Sequence, residues 1–405
     1  MKFKCNECNA IYNKYRSWCK MCGADAICEQ KQETFVDDSF PIIYNLADIQ
    51  DTIRYESSWK EFDNVCGGGI VPGSALLLGG EPGMGKSTIL LQLCNKFAGI
   101  SLYCSGEENI SQIQLRCKRL NLKCIKIVTD NNLESIIKLL ENIKPQLIVI
   151  DSIQTLRSLE DLDIRAITDK LINICKYLNT ALILVGHVTK SGELAGPKML
   201  EHLVDAVLTL EGENDTRVLR ATKNRFGSTG EIGIFKMTNE GIIEYANATQ
   251  LFDEYTEPTI GSCIFTAFQG SRAIAVEVQA LVNESHFQIP RRSVVGLCYN
   301  RLSMILAVIE KYTKISFYNK DVYLNVLNGF KVQDLAAADL SIVIAVLSSA
   351  LKKAISPNST AFGELTLIGK IRQPMYINER LKLIEKYQLK QITANTIKEI
   401  IELLR

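Results

Sequence analysis

The chain of 405 residues lacks any net electrostatic bias: 46 basic residues stand against 45 acidic ones, leaving a net charge of +1. That balance excludes a global attraction to nucleic acid, so any DNA site has to be a local basic patch. No apolar run approaches the length of a membrane span. The opening residues Met1-Lys2-Phe3-Lys4-Cys5 have no apolar stretch of the secretory type, so a cytoplasmic protein is expected. A disulfide framework is missing as well. The 13 cysteines are odd in number, and Cys94, Cys104, Cys175 and Cys298 scatter through core-like segments, which points to a reducing compartment. Histidine is scarce, with three in the chain, so His187 at the end of an apolar run stands out.

What is present is an ordinary globular composition, 47% hydrophobic and 22% charged, with length for two to three domains. The most informative stretch is Leu76 to Thr88. An apolar run leads into Gly80-Glu81-Pro82-Gly83-Met84-Gly85-Lys86-Ser87, and a helix is expected over Ser87–Phe97. Strand, G-x-x-x-x-G-K-[ST] loop and helix together form the context in which this motif binds a nucleotide. Backbone N–H groups of the loop and of the helix N-terminus cradle phosphate oxygens. Lys86 should reach the β- and γ-phosphates of ATP, while Ser87, next to Thr88, should hold Mg²⁺.

Strands are expected at Leu76–Gly79, Ile100–Ser105, Ile125–Thr129, Leu147–Asp151, Ala181–Val185 and Ala206–Leu210, with helices such as Ile110–Leu120 and Leu133–Ile143 between them. Such alternation implies an α/β fold with a parallel sheet covered on both faces, and ligands at the carboxyl ends of its strands. Three further candidates sit at those ends. Asp151 closes an apolar strand, where it can bind the Mg²⁺ water shell or cap the next turn. Glu107 and Glu108 follow Ser105-Gly106; either carboxylate can polarise an attacking water, or cap the helix near Ile110. His187 is a candidate γ-phosphate sensor or a satisfied buried histidine. Further on, Lys223-Asn224-Arg225-Phe226-Gly227 is a compact basic loop after a strand at Val218–Thr222. In P-loop ATPases such a finger often completes a neighbour's site.

At the N-terminus, Cys5-x2-Cys8 and Cys19-x2-Cys22 have the spacing of a four-thiolate Zn²⁺ site. The segment is too short for a core, so metal binding would supply its folding energy, about 10–16 kcal/mol in zinc-finger peptides. Between and beside the knuckles, Lys14, Arg16 and Lys20 interleave with Tyr12, Tyr15 and Trp18. That pattern suits single-stranded nucleic acid or a docking protein.

These residues, taken together, resemble the bacterial RadA (Sms) family of recombination ATPases. The four-cysteine finger, Gly67-Gly68-Gly69-Ile70-Val71-Pro72-Gly73-Ser74, the P-loop, Ser105–Glu108, Val149–Thr155, Gly186–Lys190, Leu194–Lys198 and the Lys223–Gly227 signature stand in family order. The resemblance implies a RecA-like motor that uses ATP to move on single-stranded DNA in recombination intermediates. It also implies a ring-shaped, hexameric homo-oligomer partnered with the RecA recombinase. One departure is the segment Leu156–Ile167, which is several residues shorter than the family's channel-facing loop.

The implied organisation is a finger (1–28), a polar linker (29–53), the ATPase (54–250) and a C-terminal α+β domain (251–405). In the last, Gln269-Gly270-Ser271 reads as a hairpin turn, and helices are expected at Leu302–Tyr312 and Ala336–Leu351. Gly363–Ile371 resembles the proteolytic domain of Lon, but the nucleophile position falls on Ala337 and the lysine position on Asn378. Ser341 and Lys370 lie off that pattern. The expectation is an inactive platform for assembly and DNA binding, with Arg291-Arg292 and Lys352-Lys353 as phosphate-contact candidates. Two alternatives to a translocating motor remain: an ATP-dependent protease, which the missing dyad argues against, and a DNA scaffold in which nucleotide sets only assembly.

Overall fold

The computed structural model describes residues 2–5, 7–8, 11–12, 18–24, 27–30, 53–160, 162–188, 194–195, 199–245, 250–252, 257–327, 332 and 334–404. Two compact units result, Met1–Asp51 and Thr52–Arg405. The first holds three short antiparallel strands, with Lys2–Cys5 between Ile11–Tyr12 and Ile27–Gln30.

In the second unit the expected strands form β1 (Ala75–Gly80), β2 (Ser101–Ser105), β3 (Lys126–Val128), β4 (Leu147–Asp151), β5 (Ala181–Val185) and β6 (Ala206–Glu213). They alternate with α1 (Lys60–Val65), which precedes them, then α2 (Lys86–Lys96), α3 (Ile110–Arg119), α4 (Leu133–Ile143), α5 (Ile164–Tyr177) and the short α6 (Met199–Leu203). Every residue of β1, β2, β4 and β5 is buried, as in a sheet covered on both faces. Strand parity divides their side chains between two cores. Leu76, Leu78, Tyr103, Val149 and Ile183 pack with Ile89, Leu90 and Leu93 of α2. Leu77, Leu102, Ile148, Ile150 and Leu182 pack with Ile136 and Leu140 of α4 and Leu171 of α5.

The parallel order β6-β1-β5-β4-β2-β3 is extended on the β6 side by antiparallel β7 (Thr216–Asn224), β8 (Ile232–Thr238) and β9 (Gly241–Glu244). Helical crossovers stop at β6 because the two-residue link Asn214-Asp215, with Asn214 at φ 52°, turns the chain straight back as a hairpin.

A second sheet runs in the order β12-β13-β11-β10-β14-β15, from β10 (Ser262–Gln269), β11 (Arg272–Glu284), β12 (Arg292–Val295), β13 (Lys320–Val326), β14 (Ser359–Ala361) and β15 (Lys390–Gln391). Gln269 pairs with Arg272 across the expected turn, and Gly270 takes φ 59° there. Four helices accompany the sheet: α7 (Tyr299–Tyr312), α8 (Asp339–Leu351), α9 (Ile377–Lys386) and α10 (Ile397–Leu403). Helix α8 begins at Asp339 rather than at Ala336, because Leu335–Ala338 form turns. It is buried all round from Asp339 to Ser349, as its apolar sequence requires. Among the described residues no helix is long and apolar enough to cross a membrane.

The core of the second sheet does not stop at the sequence boundary near 250. It takes in Val218 of β7 and Ile232 and Ile234 of β8. A partly buried ion pair ties the same seam. Arg272 donates to both Glu61 carboxylate oxygens, at 2.8 and 2.6 Å, and to the Ile232 carbonyl at 2.7 Å. Glu61, 8% exposed, also accepts from the Ile234 N–H. Stranding a buried carboxylate costs more than the pair itself contributes. Arg272→Met should therefore lower stability by about 2–4 kcal/mol, measured from the urea unfolding midpoint. Glu61→Leu combined with Arg272→Met should recover part of that loss, the Ile234 N–H and Ile232 carbonyl being left unpaired; a double variant no more stable than Arg272→Met would contradict the assignment.

Candidate functional site

The P-loop lies where the sequence puts it. β1 ends at Gly80, Glu81 to Gly83 are exposed, and α2 starts at Lys86. Gly85 caps α2 at φ 99°, a conformation that favours glycine, and a Cβ there would press on the end of the Met237 side chain of β8 at 2.5 Å. Arg217 of β7 donates from Nε to the Met84 carbonyl at 3.0 Å. The antiparallel extension thus braces the loop from one side.

Lys86 is 6% exposed, and its Nζ donates to the Gly80 carbonyl at 2.7 Å and the Glu81 carbonyl at 3.0 Å. Burial depresses its ammonium below the usual lysine value, while the charges of Asp151 and Glu107 push the other way. The same field brings together groups from the carboxyl ends of β1, β4 and β2.

Asp151 is 8% exposed and accepts a hydrogen bond from the Tyr103 hydroxyl. Burial raises the Tyr103 phenol well above its ordinary value, and the Asp151 carboxylate adds to the effect. Glu107 accepts from the Ser152 hydroxyl at 2.6 Å. Glu108 points elsewhere, into an ion pair with Arg116 of α3 at 2.6 Å. Neither glutamate caps α3. Asn109 does so in a reciprocal capping box with Gln112, because its short side chain reaches the first-turn amide. Gly106 permits this turn: a Cβ there would lie 2.0 Å from Thr155 Oγ1. Beside it opens a cleft of about 400 Å³ lined by Ser105 to Ile110 and Thr129 to Asn131.

The basic loop divides its labour. Lys223 Nζ donates to the Glu201 and Val204 carbonyls, both at 2.7 Å, closing the end of α6 within its own chain. Burial and the neighbouring Arg225 depress its ammonium. Asn224 donates to the Val65 carbonyl at 3.3 Å, and Arg54 donates to the Phe226 carbonyl at 2.9 Å. Gly227 meets Gly67 so closely that a Cβ on either would reach the other's Cα at 3.0 Å or less. Arg225 alone points out. Its side chain is 55% exposed and is tethered at 3.2 Å to Asp205, which also accepts from the Ala75 N–H.

His187 lies in a two-residue strand, and its backbone pairs with Ala195. Its side chain, and the loop residues 189–193 and 196–198, are outside the described residues, and so is the sensor reading. The segment after Asp151 is held to α4 at residues 158–159, where Glu134 accepts from the Ser158 hydroxyl at 2.5 Å and the Leu159 N–H at 3.2 Å.

In the N-terminal unit the sulfurs of Cys5, Cys8, Cys19 and Cys22 all lie within 4.8 Å of one another. Cys5 faces Cys22 at 3.6 Å and Cys8 faces Cys19 at 3.4 Å. A tetrahedral Zn²⁺ with sulfurs at ~2.3 Å needs them about 3.8 Å apart, so the donor set fits in type and spacing. Gly23, at φ 76°, donates to the Cys19 carbonyl at 2.8 Å and closes the second knuckle. Trp18 is 50% exposed; Lys14, Tyr15, Arg16 and the Tyr12 side chain lie outside the described residues.

The positions expected for a peptidase dyad carry Ala337 and Asn378. Ala337 is fully buried and Asn378 is exposed. Ser341 is also fully buried and spends its hydroxyl on the Ala338 carbonyl at 2.7 Å, while Lys370 is exposed. The cleft of about 520 Å³ next to Ala337 has no Ser, Cys or Lys among its described lining residues.

Tyr103, Arg217 and Arg54 escape a motif-based reading. A parity signal exists for Tyr103: it stands two residues before Ser105 on one strand, and Ser105 pairs with Asp151 in parallel register. No such signal marks Arg217 or Arg54, whose partners lie 133 and 172 residues away.

An AAA domain family model matches residues 44–193. The chain is 40% identical over 416 residues to the DNA repair protein RadA of Streptococcus pyogenes serotype M3, covering 97% of this chain and 92% of that one. It is also 40% identical over 415 residues to the DNA repair protein RadA of Pseudomonas aeruginosa, covering 96% and 91%. Among solved structures, the KaiC-like protein PH0186 of Pyrococcus horikoshii OT3 aligns with a TM-score of 0.43 and 23% identity, over 48% of this chain and 100% of that chain.

The cysteine geometry leads to an expected content of one zinc ion per chain in freshly purified protein, measured by elemental analysis. Cys19→Ser should lose the metal while the Thr52–Arg405 unit keeps its circular dichroism, because the two units are separately compact. Metal-free wild-type protein would contradict the assignment.

Proposed function

The chain belongs to the RadA family of DNA repair proteins, and from that premise we propose that it is an ATP-hydrolysing motor that moves on single-stranded DNA and drives branch migration in recombination intermediates. It carries a RecA-like P-loop ATPase core of the AAA class, for which ATP and Mg²⁺ are the expected cofactors. The observation that carries the motor reading is the convergence of Lys86, Asp151 and Glu107 at the carboxyl ends of three parallel strands. A nucleotide scaffold needs the loop; turnover also needs a base and a metal-holding carboxylate.

In this reading Lys86 exchanges its two loop carbonyls for phosphate oxygens, a stronger charge-assisted pairing. Ser87 and Asp151 would hold Mg²⁺, which when bound neutralises charge on the phosphates. Glu107 takes the role of water-activating base, because Glu108 is spent on Arg116. Arg225 is the finger that reaches the neighbour's nucleotide. Lys223 supports it from within the chain by fixing the end of α6.

The four cysteines take a structural zinc, and the finger with its basic and aromatic residues contacts single-stranded DNA or a docking protein. The Lon-like C-terminal domain serves as a platform without peptidase chemistry. The assembly is a cytoplasmic hexameric ring that works with the RecA recombinase.

Mixing tests the motor site and its assembly together. Lys86→Ala chains and Arg225→Ala chains should each lack DNA-stimulated hydrolysis, since a finger in trans contributes about 10³–10⁵ in rate. Mixed rings contain interfaces with one intact Lys86 and one intact Arg225, and these should recover part of the activity. No recovery after demonstrated subunit exchange would exclude a finger acting in trans.

A further inference from the structure

We propose that Tyr103 is a positioning residue for the metal half of this site, its hydroxyl fixing the Asp151 carboxylate beside Ser87. The inference rests on the nucleotide reading above and extends it to a residue that no motif contains. Three observations carry it. The Tyr103 O–H donates to the Asp151 carboxylate. Against the rise that burial imposes, the Ser87 side chain lowers the same phenol's pKa. Tyr103 is also 1% exposed on β2, clamped in the core that α2 forms with β1 and β4.

The geometry follows from register. β2 and β4 pair in parallel with Tyr103 opposite Val149 and Ser105 opposite Asp151. Tyr103, Val149 and Asp151 therefore share the face that looks at α2. A buried phenol needs an acceptor, and here the acceptor is the one carboxylate that the metal also requires. A hydroxyl donating to one oxygen of a carboxylate sets its rotation and leaves the other oxygen free. Ser87 stands on the first turn of α2, the helix this face looks at. One rigid ring thereby holds the carboxylate toward the helix that carries Ser87.

The test uses the full-length protein, Mn²⁺ as a spectroscopic stand-in for Mg²⁺, and a non-hydrolysable ATP analogue. Tyr103→Phe keeps the ring and removes only the donor. It should weaken Mn²⁺ binding to the nucleotide complex about tenfold by electron paramagnetic resonance, the scale of one hydrogen bond to a charged group. Affinity for the fluorescent analogue in EDTA should stay within about twofold, because phosphate contacts come from the loop. In an Asp151→Asn background the same change should cost nothing further. An unchanged Mn²⁺ affinity in Tyr103→Phe, or a full second loss in the Asp151→Asn background, would overturn the proposal. Should Tyr103→Phe not fold, 3-fluorotyrosine at position 103 alters donor strength at nearly constant shape; an unshifted Mn²⁺ affinity would again overturn it. Wild-type protein that binds no Mn²⁺–nucleotide at all would instead refute the nucleotide reading on which the proposal rests.

Discussion

Asp151 ends a strand whose residues are all buried, and a carboxylate in such a place raises the free energy of the fold unless its charge is answered. Two groups answer it: the Tyr103 hydroxyl and the charge of Lys86. The backbone turn that follows is held separately. The turn also meets the Ser105–Glu108 segment, where Gly106 donates to the Asp151 carbonyl at 2.9 Å. Ser152 then holds Glu107. The burial of one carboxylate therefore organises both the lysine that would meet phosphate and the glutamate that would meet water. Lys86 resting on two loop carbonyls is a ground state ready to be displaced by a stronger acceptor.

The antiparallel extension does the complementary work on the other side of the loop. Arg217 and Met237 fix Met84 and Gly85, while Ile242 exchanges hydrogen bonds with Gln92 of α2. β7 and β8 also enter the core of the second sheet, and β8 lends the Ile232 carbonyl and the Ile234 N–H to the Glu61–Arg272 pair. The P-loop and the C-terminal half are thus joined through β8. The Gly67–Gly227 contact holds the Arg225 loop to the turn at 65–69, so Arg225 is presented from a stiff base rather than a loose one.

Much of this was legible in the residues. Apolar runs four to six residues long, bounded by glycine or acid, mark the parallel strands because burial on both faces leaves no polar positions. The P-loop and the four cysteines are recognisable because their chemistry fixes spacing along the chain. What stayed hidden depends on contacts between distant segments. Glu107 and Glu108 are adjacent and chemically identical, and only Ser152 and Arg116 separate their roles. Lys223 and Arg225 look like equal members of one basic motif, yet one faces α6 and the other faces solvent. Tyr103 reads as a good strand former, and its acceptor lies 48 residues on.

In the proposed motor, this carboxylate–lysine network couples ATP hydrolysis to movement on DNA. The most direct measurement follows a labelled recombination intermediate with a single-stranded branch, with wild-type protein with and without ATP, and with Lys86→Ala protein in ATP. Branch movement should occur only for the wild type with ATP. Equal movement without nucleotide, or by Lys86→Ala, would contradict the account and leave nucleotide with a role in assembly alone.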